Sequence, residues 1–304
     1  MKERVYVIVG PTASGKTAAA IELAKRMDGE VVSADSMQIY RDMNIGTAKP
    51  DQKEMQGVVH HMIDIVSPDA AYSVAMFQRG AFGWIRDILK RGKTPIVVGG
   101  TGLYINSLTY RLDFTETAHD PEFRALLEKR EPASLHRELA QADSEAALRI
   151  HPNDKKRIIR WLEILRYQKE RGSYSFGVLN DDYDFIMSGL TMERAFLYDR
   201  IERRVDQMME RGLLEEARSL FQKYGDAPAS MQAIGYKEFI PYFMGSISLE
   251  EAVGLLKRNT RRYAKRQLTW FRRDQRIRWY DVQENGITAT ELAKQLSEQG
   301  REKK

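Results

Sequence analysis

Two periods of apolar spacing alternate along the first 110 residues. Val5–Val9 is a continuous apolar run of strand length, residues 16–27 carry apolar positions at helical spacing, and Glu30–Ser33 gives a second short strand. Met62–Val66 is a third apolar run before Ser67-Pro68. Ser73–Lys90 reads as an amphipathic helix stopped by Arg91-Gly92, and Thr94–Val98 as a further strand ending at Gly99-Gly100. Such alternation predicts an α/β fold, a parallel sheet flanked by helices on both faces. Ligands on such a sheet gather at the carboxyl ends of the strands.

From about residue 116 the pattern becomes helical and highly charged, with helices predicted at Pro121–Arg130, Ala133–Gln141, Glu145–Ile150 and Asp154–Arg171. A Gly-, Ser- and Asp-rich loop at Gly172–Asp184 leads into a strand at Phe185–Leu190. Thr191–Arg211, stopped by Gly212, then begins a run of helices to about residue 273. The expected organisation is a core of 1–115 and 183–290, an all-helical insertion at 116–182 and a polar tail at 291–304. No internal repeat or low-complexity segment interrupts it.

The junction of the first strand and helix carries the strongest chemical signal. Residues 10–17 read Gly-Pro-Thr-Ala-Ser-Gly-Lys-Thr, a complete G-x-x-x-x-G-K-[ST] phosphate loop in the strand–loop–helix context that the motif requires. The backbone amides of such a loop and the helix N-terminus hold an anion. Lys16 adds a positive charge, and Thr17 is suited to ligate Mg²⁺. The sheet is therefore expected to be P-loop NTPase-like and to hold a polyphosphate or pyrophosphate group.

Composition narrows the setting. The 304 residues include 48 basic and 43 acidic side chains, a net charge of +5, and no cysteine, which excludes disulfides and thiolate zinc sites. No apolar run approaches the ~18 residues needed to span a bilayer, and the short N-terminal run does not resemble a signal peptide. A cytoplasmic protein without membrane association is expected.

Asp35 follows the second strand in Ser33-Ala34-Asp35-Ser36-Met37-Gln38. It suits either a general base facing the phosphate loop or the ordinary cap of a turn. The Gly99-Gly100-Thr101-Gly102 segment either approaches a ligand or forms a tight turn. No carboxylate follows its strand to organise ATP hydrolysis, although Asp64 is a substitute to consider. His60-His61 lacks metal spacing and reads as structural. Arg200 and Arg204 share one helix face, a diphosphate clamp or a solvated face.

The segment 257–278 holds ten basic residues and one acid, Asp274. Arg258, Arg261, Arg262, Lys265, Arg266, Arg272 and Arg273 fall within a helical stripe of roughly 140°, opposite Val253, Leu256, Tyr263, Ala264, Trp270 and Phe271. So many like charges on one face point to a polyanionic partner. Lys156 and Arg160, one turn apart in His151-Pro-Asn-Asp-Lys-Lys-Arg157-Ile-Ile-Arg, add a second basic surface.

The ordered motifs resemble those of the tRNA dimethylallyltransferase family. They are the phosphate loop, Asp-Ser-Met-Gln-Ile-Tyr at 35–40, Ile-Gly-Thr-Ala-Lys-Pro at 45–50, Gly-Gly-Thr-Gly-Leu-Tyr at 99–104, His-Pro-Asn-Asp at 151–154, Gln-Ala-Ile-Gly-Tyr-Lys-Glu at 232–238 and Ala-Lys-Arg-Gln-Leu-Thr-Trp-Phe-Arg at 264–272. The resemblance covers Val5 to Trp279. It implies transfer of a dimethylallyl group from dimethylallyl diphosphate to N6 of the adenosine at tRNA position 37, with Mg²⁺. Gly10, Thr12, Ala13, Ser14, Gly15, Lys16 and Thr17 would hold the leaving diphosphate, with the metal at Thr17. Asp35 would take the N6 proton, Thr101 would position the reacting groups, and Arg204 would stabilise the departing charge. Asp35, Ser36, Met37 and Gln38 would line the nucleotide side. Lys156, Arg157, Arg160, Gln232, Gly235, Lys237, Arg262 and Arg266 would hold the anticodon stem-loop.

The absence of cysteine fits the bacterial form, since eukaryotic relatives carry a zinc finger, and the chain is expected to act as a monomer. Asn106 stands where relatives often have a basic residue, and it inherits no role. Prenylation of free adenine nucleotides, a nucleotide kinase, and an RNA-binding protein with a vestigial nucleotide site are the competing readings. Neither the free-nucleotide reading nor the kinase accounts for the basic stripe.

Overall fold

A computed structural model describes residues 2–112, 120–167, 178–282 and 287–302. In chain order it contains β1 (Arg4–Val9), α1 (Lys16–Arg26), β2 (Gly29–Ser33), α2 (Gln52–Met55), β3 (His60–His61), α3 (Val74–Lys90), β4 (Thr94–Gly99) and α4 (Gly102–Thr109). Four helices follow: α5 (Pro121–Glu128), α6 (Pro132–Ala142), α7 (Ser144–Arg149) and α8 (Lys155–Tyr167). The chain continues through β5 (Asp184–Thr191), α9 (Arg194–Glu210), α10 (Leu213–Tyr224), α11 (Ile240–Phe243), α12 (Leu249–Phe271), β6 (Arg278–Asp281) and α13 (Ala289–Glu302). Two compact units result, Met1–Tyr110 with Leu179–Lys304, and Arg111–Val178.

The six strands form one sheet in the order β3-β2-β4-β1-β5-β6, with every pairing parallel. Because strand side chains alternate between faces, β1 divides its apolar residues between two cores. Val5, Val7 and Val9 meet Phe77, Ala81 and Ile85 of α3 and Ile105 of α4. Tyr6 and Ile8 meet Ala20 and Leu23 of α1 on the opposite face. Both cores are fully buried, and each Val or Ile side chain removed from water contributes about 1.5–3 kcal/mol. This two-sided burial explains why the strands read as continuous apolar runs.

The second unit has its own core, in which Leu127, Leu135, Leu139, Ile158 and Ile159 are buried together. Asp143 caps α7 through the Ala146 amide and also accepts from the Trp161 indole at 3.1 Å. The part of the expected 154–171 helix beyond residue 167 and the loop at 172–177 lie outside the described residues.

Two expectations need correction. The apolar run Met62–Val66 is not a strand. Met62 and Asp64 adopt positive φ, 63° and 55°, which breaks extended pairing, and β3 comprises His60 and His61 instead. The polar tail expected at 291–304 is instead helical over 291–302. These residues belong to α13, whose Leu292, Ala293 and Leu296 are buried against Tyr6, Ile8 and Ala20 on the α1 face of the sheet. Three apolar positions at helical spacing among charged residues were enough to cover that face. β6, which pairs with β5 at the sheet edge, was also absent from the sequence reading.

Candidate active site

The phosphate loop links β1 to α1, so the carboxyl end of the central strand opens onto it. Lys16 turns its Nζ back to donate to the carbonyl of Pro11 at 2.6 Å. Arg200 donates Nε to the carbonyl of Ala13 at 2.9 Å, and the Thr12 amide donates to Oε1 of Gln267 at 2.8 Å. The loop is therefore held from α9 on one side and α12 on the other. The Ser14 hydroxyl is buried without a hydrogen-bond partner among the described residues.

Two cavities of about 340 and 630 Å³ meet at this loop, sharing Ala13, Lys16, Thr17 and Arg204. The larger one adds Arg200, Arg203 and Arg211, with Arg203 paired with Asp199 and Arg211 with Asp51, and its six basic side chains outnumber its two acids, Glu54 and Glu210. Arg204 has neither a hydrogen bond nor an ion pair among the described residues, and burial pushes its guanidinium below the ordinary arginine range. Burial and the neighbouring Arg204 charge also lower Lys16 to about 7, against an opposing effect of Asp35. Two cations facing a cavity with no bonded carboxylate between them form an anion site.

The smaller cavity is lined by Asp35, Ser36, Met37 and Gln38, together with Gln232 and Arg266. The turn reading of Asp35 accounts for one of its two carboxylate oxygens. Its Oδ1 closes a turn by accepting from the amides of Met37 (2.9 Å) and Gln38 (3.4 Å), while Oδ2 has no hydrogen bond among the described residues. Thr101 accepts at Oγ1 from the Ser36 amide at 3.0 Å, which ties the turn after β4 to the turn after β2. Gln38 donates Nε2 to the carbonyls of Thr47 and Ala48, both on the cavity wall.

The glycines after β4 are explained by packing. A Cβ on Gly100 would stand 2.1 Å from the Gln267 amide nitrogen, and one on Gly102 would stand 2.3 Å from the Trp270 ring. The segment is close-packed under α12, and its threonine alone bonds toward Ser36.

Several expected residues fall elsewhere. Asp64 lines neither cavity, because its carboxylate is paired with Lys49. The two histidines separate. His61 donates from Nε2 to the buried Glu30 carboxylate (2.7 Å) and stacks on Trp84, which is a structural role. Bidentate bonding from Arg91, with help from His61 and Lys93, holds Glu30 well below the carboxylate range. His60 lines the smaller cavity with a buried, unpartnered Nε2, and burial lowers its pKa. Gly235 is buried with φ 104°, its amide donates to Glu238, and a Cβ there would meet the Gly46 carbonyl at 2.9 Å. Packing and backbone conformation account for a glycine at that position.

On α12, Arg258, Arg262, Lys265 and Arg266 are exposed, as are Arg272 and Arg273 beyond its end. Arg261 departs from the expected stripe. It is half-buried and paired with Glu202 of α9. Lys237 is half-buried and outside both cavity linings. In the helical unit, Lys156 is exposed, Arg157 pairs with Asp154 at 3.4 Å, and Arg160 lies 3.7 Å from Glu163. Gln267, Tyr263 and Glu216 were not singled out in the sequence. Gln267 sits on the apolar side of α12, where a single amide among apolar residues was the available signal.

The donor set bears on a metal ion. Among the described residues no group of three His, Cys, Asp or Glu side chains is placed to hold one. The hydroxyl of Thr17 beside an anion cavity suits Mg²⁺ bound chiefly through phosphate oxygens and water. No helix among the described residues is long and apolar enough to cross a membrane.

A family model described as IPP transferase matches residues 38–274, and a second, described as isopentenyl transferase, matches residues 3–66. The chain is 51% identical to the tRNA dimethylallyltransferase of Bacillus cytotoxicus over 294 residues, covering 95% of this chain and 93% of that protein. Its fold is similar to the crystal structure of tRNA delta(2)-isopentenylpyrophosphate transferase from Staphylococcus epidermidis (TM-score 0.75, 42% identity, 99% of this chain and 100% of that one). It is also similar to a eukaryotic dimethylallyltransferase acting on tRNA (TM-score 0.80, 32% identity, 99% of this chain and 77% of that one).

Proposed function

The chain belongs to the tRNA dimethylallyltransferase family, whose members prenylate adenosine in tRNA, and from that membership we propose how its residues perform the transfer. The substrate is dimethylallyl diphosphate, and the acceptor is N6 of the adenosine at position 37, next to the anticodon. The observation that carries this reading is the pair of cavities meeting at the phosphate loop, one basic and one lined by Asp35 and Gln38.

In the reaction the N6 lone pair forms a bond to the allylic carbon, the carbon–oxygen bond to diphosphate breaks, and the N6 proton leaves to Asp35. The free Oδ2 of Asp35 is the atom available for that proton, since Oδ1 is committed to the turn. Thr101 holds the Ser36 amide and so fixes the turn that carries Asp35. Arg204 and Lys16 face the departing diphosphate, and their charges stabilise it in a partly dehydrated site. Mg²⁺ at Thr17 would supply further charge to the diphosphate. A leaving group of this kind needs no residue to activate water, which accords with the glycine and hydroxyl after β4 where a kinase or ATPase places a carboxylate.

The anticodon stem-loop is held by the exposed Arg262 and Arg266 of α12, with Lys156, Arg157 and Arg160 of the helical unit as a second basic surface. The proposed reaction treats the chain as a monomer. The tRNA partner makes the cytoplasm its working compartment.

A transfer assay with radiolabelled dimethylallyl diphosphate, Mg²⁺ and an unmodified anticodon stem-loop tests the reading, with AMP in place of RNA as the control. Label on the RNA alone supports it. Label on AMP transfers the assignment to free nucleotides, and label on neither overturns it.

A further inference from the structure

We propose that Gln267 is a positioning residue for the diphosphate site, locking the phosphate loop to the turn after β4. The proposal rests on the reading of residues 10–17 as a diphosphate site. Gln267 is 5% exposed and surrounded by the apolar face of α12. A primary amide in such a place is costly unless both of its ends are bonded. Here Oε1 accepts from the Thr12 amide at 2.8 Å, and Nε2 donates to the Gly100 carbonyl at 3.0 Å. The two bonds join the loop after β1 to the loop after β4, which leave adjacent strands of the sheet.

The fit leaves no slack. Gly100 has no room for a Cβ because the Gln267 nitrogen would lie 2.1 Å from it. One turn earlier on α12, Tyr263 lines the same cavity as Asp35 and Gln267, and burial with the nearby Asp35 charge pushes its phenol up to about 12. Thr101 receives the Ser36 amide beside Asp35. Thus α12 carries two inward polar side chains, spaced i and i+4. Gln267 sets the phosphate loop, and Tyr263 lines the cavity that contains Asp35. A loop already fixed in its binding shape loses less freedom when the anion arrives.

The decisive variant is Gln267→Met, which preserves volume and removes both bonds. Its affinity for pyrophosphate with Mg²⁺ should be measured by calorimetry on the full chain, beside the KM for dimethylallyl diphosphate and the affinity for the anticodon stem-loop. Pyrophosphate binding and KM should both weaken by about tenfold, the scale of a buried hydrogen bond. RNA affinity should stay within about twofold, since no phosphate contact has been removed. Gly100→Ala, which displaces Gln267 without altering it, should reproduce the defect, and the double variant should be no worse than either single one. Unchanged pyrophosphate affinity in Gln267→Met, or additive losses in the double variant, overturns the proposal. Failure of the unaltered protein to bind pyrophosphate would instead overturn the diphosphate reading itself.

Discussion

Lys16 donates its ammonium to the carbonyl of Pro11 at 2.6 Å, so the lysine of the phosphate loop is bonded to the loop's own backbone and not to a carboxylate. Burial and Arg204 lower it to about 7. Near neutral pH the free protein therefore holds Lys16 partly deprotonated, and a bound diphosphate, favouring the charged form, raises its pKa. Binding takes up a proton, and affinity falls as pH rises above 7. At pH 7.5 dimethylallyl diphosphate should bind with uptake of part of a proton, measured by calorimetry in buffers of different ionisation enthalpy. Lys16→Met should abolish that uptake. No proton uptake by the unaltered protein would remove Lys16 from the anion site.

Asp35→Asn separates the two roles of this side chain. The amide oxygen still accepts from Met37 and Gln38, so the turn survives, while the proton acceptor is lost. The expected result is a fall in kcat of about 10²–10⁴, with stem-loop affinity within about twofold. Single-turnover transfer and a binding titration on the same preparation check it. Wild-type turnover would exclude Asp35 as the base.

The phosphate loop, the alternating core and the basic face of α12 were legible because each follows from a local pattern: a motif, a period, or a run of charge. What remained hidden depends on tertiary partners. Arg261 lies within the stripe by helical angle, yet Glu202 on α9 neutralises it. Asp64 and Asp35 both follow apolar segments, and only the path of Lys49 shows which is free. The buried role of Gln267 depends on a loop more than 250 positions away in sequence, for which periodicity carries no information.

Arg261 also sharpens a prediction for RNA binding. Reversing Arg262 and Arg266 to Glu should weaken the stem-loop complex by at least about tenfold, and should reduce the slope of log K against log salt by about 1.4–1.8 if each makes one phosphate contact. Arg261→Gln should change that slope little, because its charge is already paired. Equal salt effects at all three positions would mean that the helix presents a diffuse field in place of defined contacts.

Glu216 binds a whole loop. Its carboxylate accepts from the amides of Asn44, Ile45 and Gly46 at 2.9–3.0 Å and from the Tyr236 hydroxyl at 2.8 Å. That phenol is buried and held well above its ordinary pKa, so it stays a donor. The loop it secures continues into Thr47 and Ala48, which Gln38 contacts on the cavity wall. Glu216→Ala leaves these donors without an acceptor and should cost about 2–4 kcal/mol of stability, read from the urea midpoint. Glu216→Gln, which keeps one acceptor oxygen, should cost less. Equal losses in the two variants would assign the effect to packing.

The C-terminal helix makes a contrasting prediction, for stability without chemistry. Leu292 and Leu296 are buried against the α1 face of the sheet, with Ala293 between them, and neither leucine lines a cavity at the phosphate loop. Leu292→Ala and Leu296→Ala should each destabilise the protein by about 2–5 kcal/mol, the range for emptying a buried leucine site. At a temperature where the variants remain folded, kcat and the KM for both substrates should match those of the unaltered chain. α1 is the complication, because it begins at Lys16 and also packs against α13, so a shift of that helix would reach the phosphate loop. The phosphate loop that precedes α1 is nevertheless tied independently through Pro11, Ala13 and Thr12 to Lys16, Arg200 and Gln267. An altered KM for dimethylallyl diphosphate in Leu292→Ala would show that these ties do not isolate the site, and that α13 belongs to the machinery that shapes it.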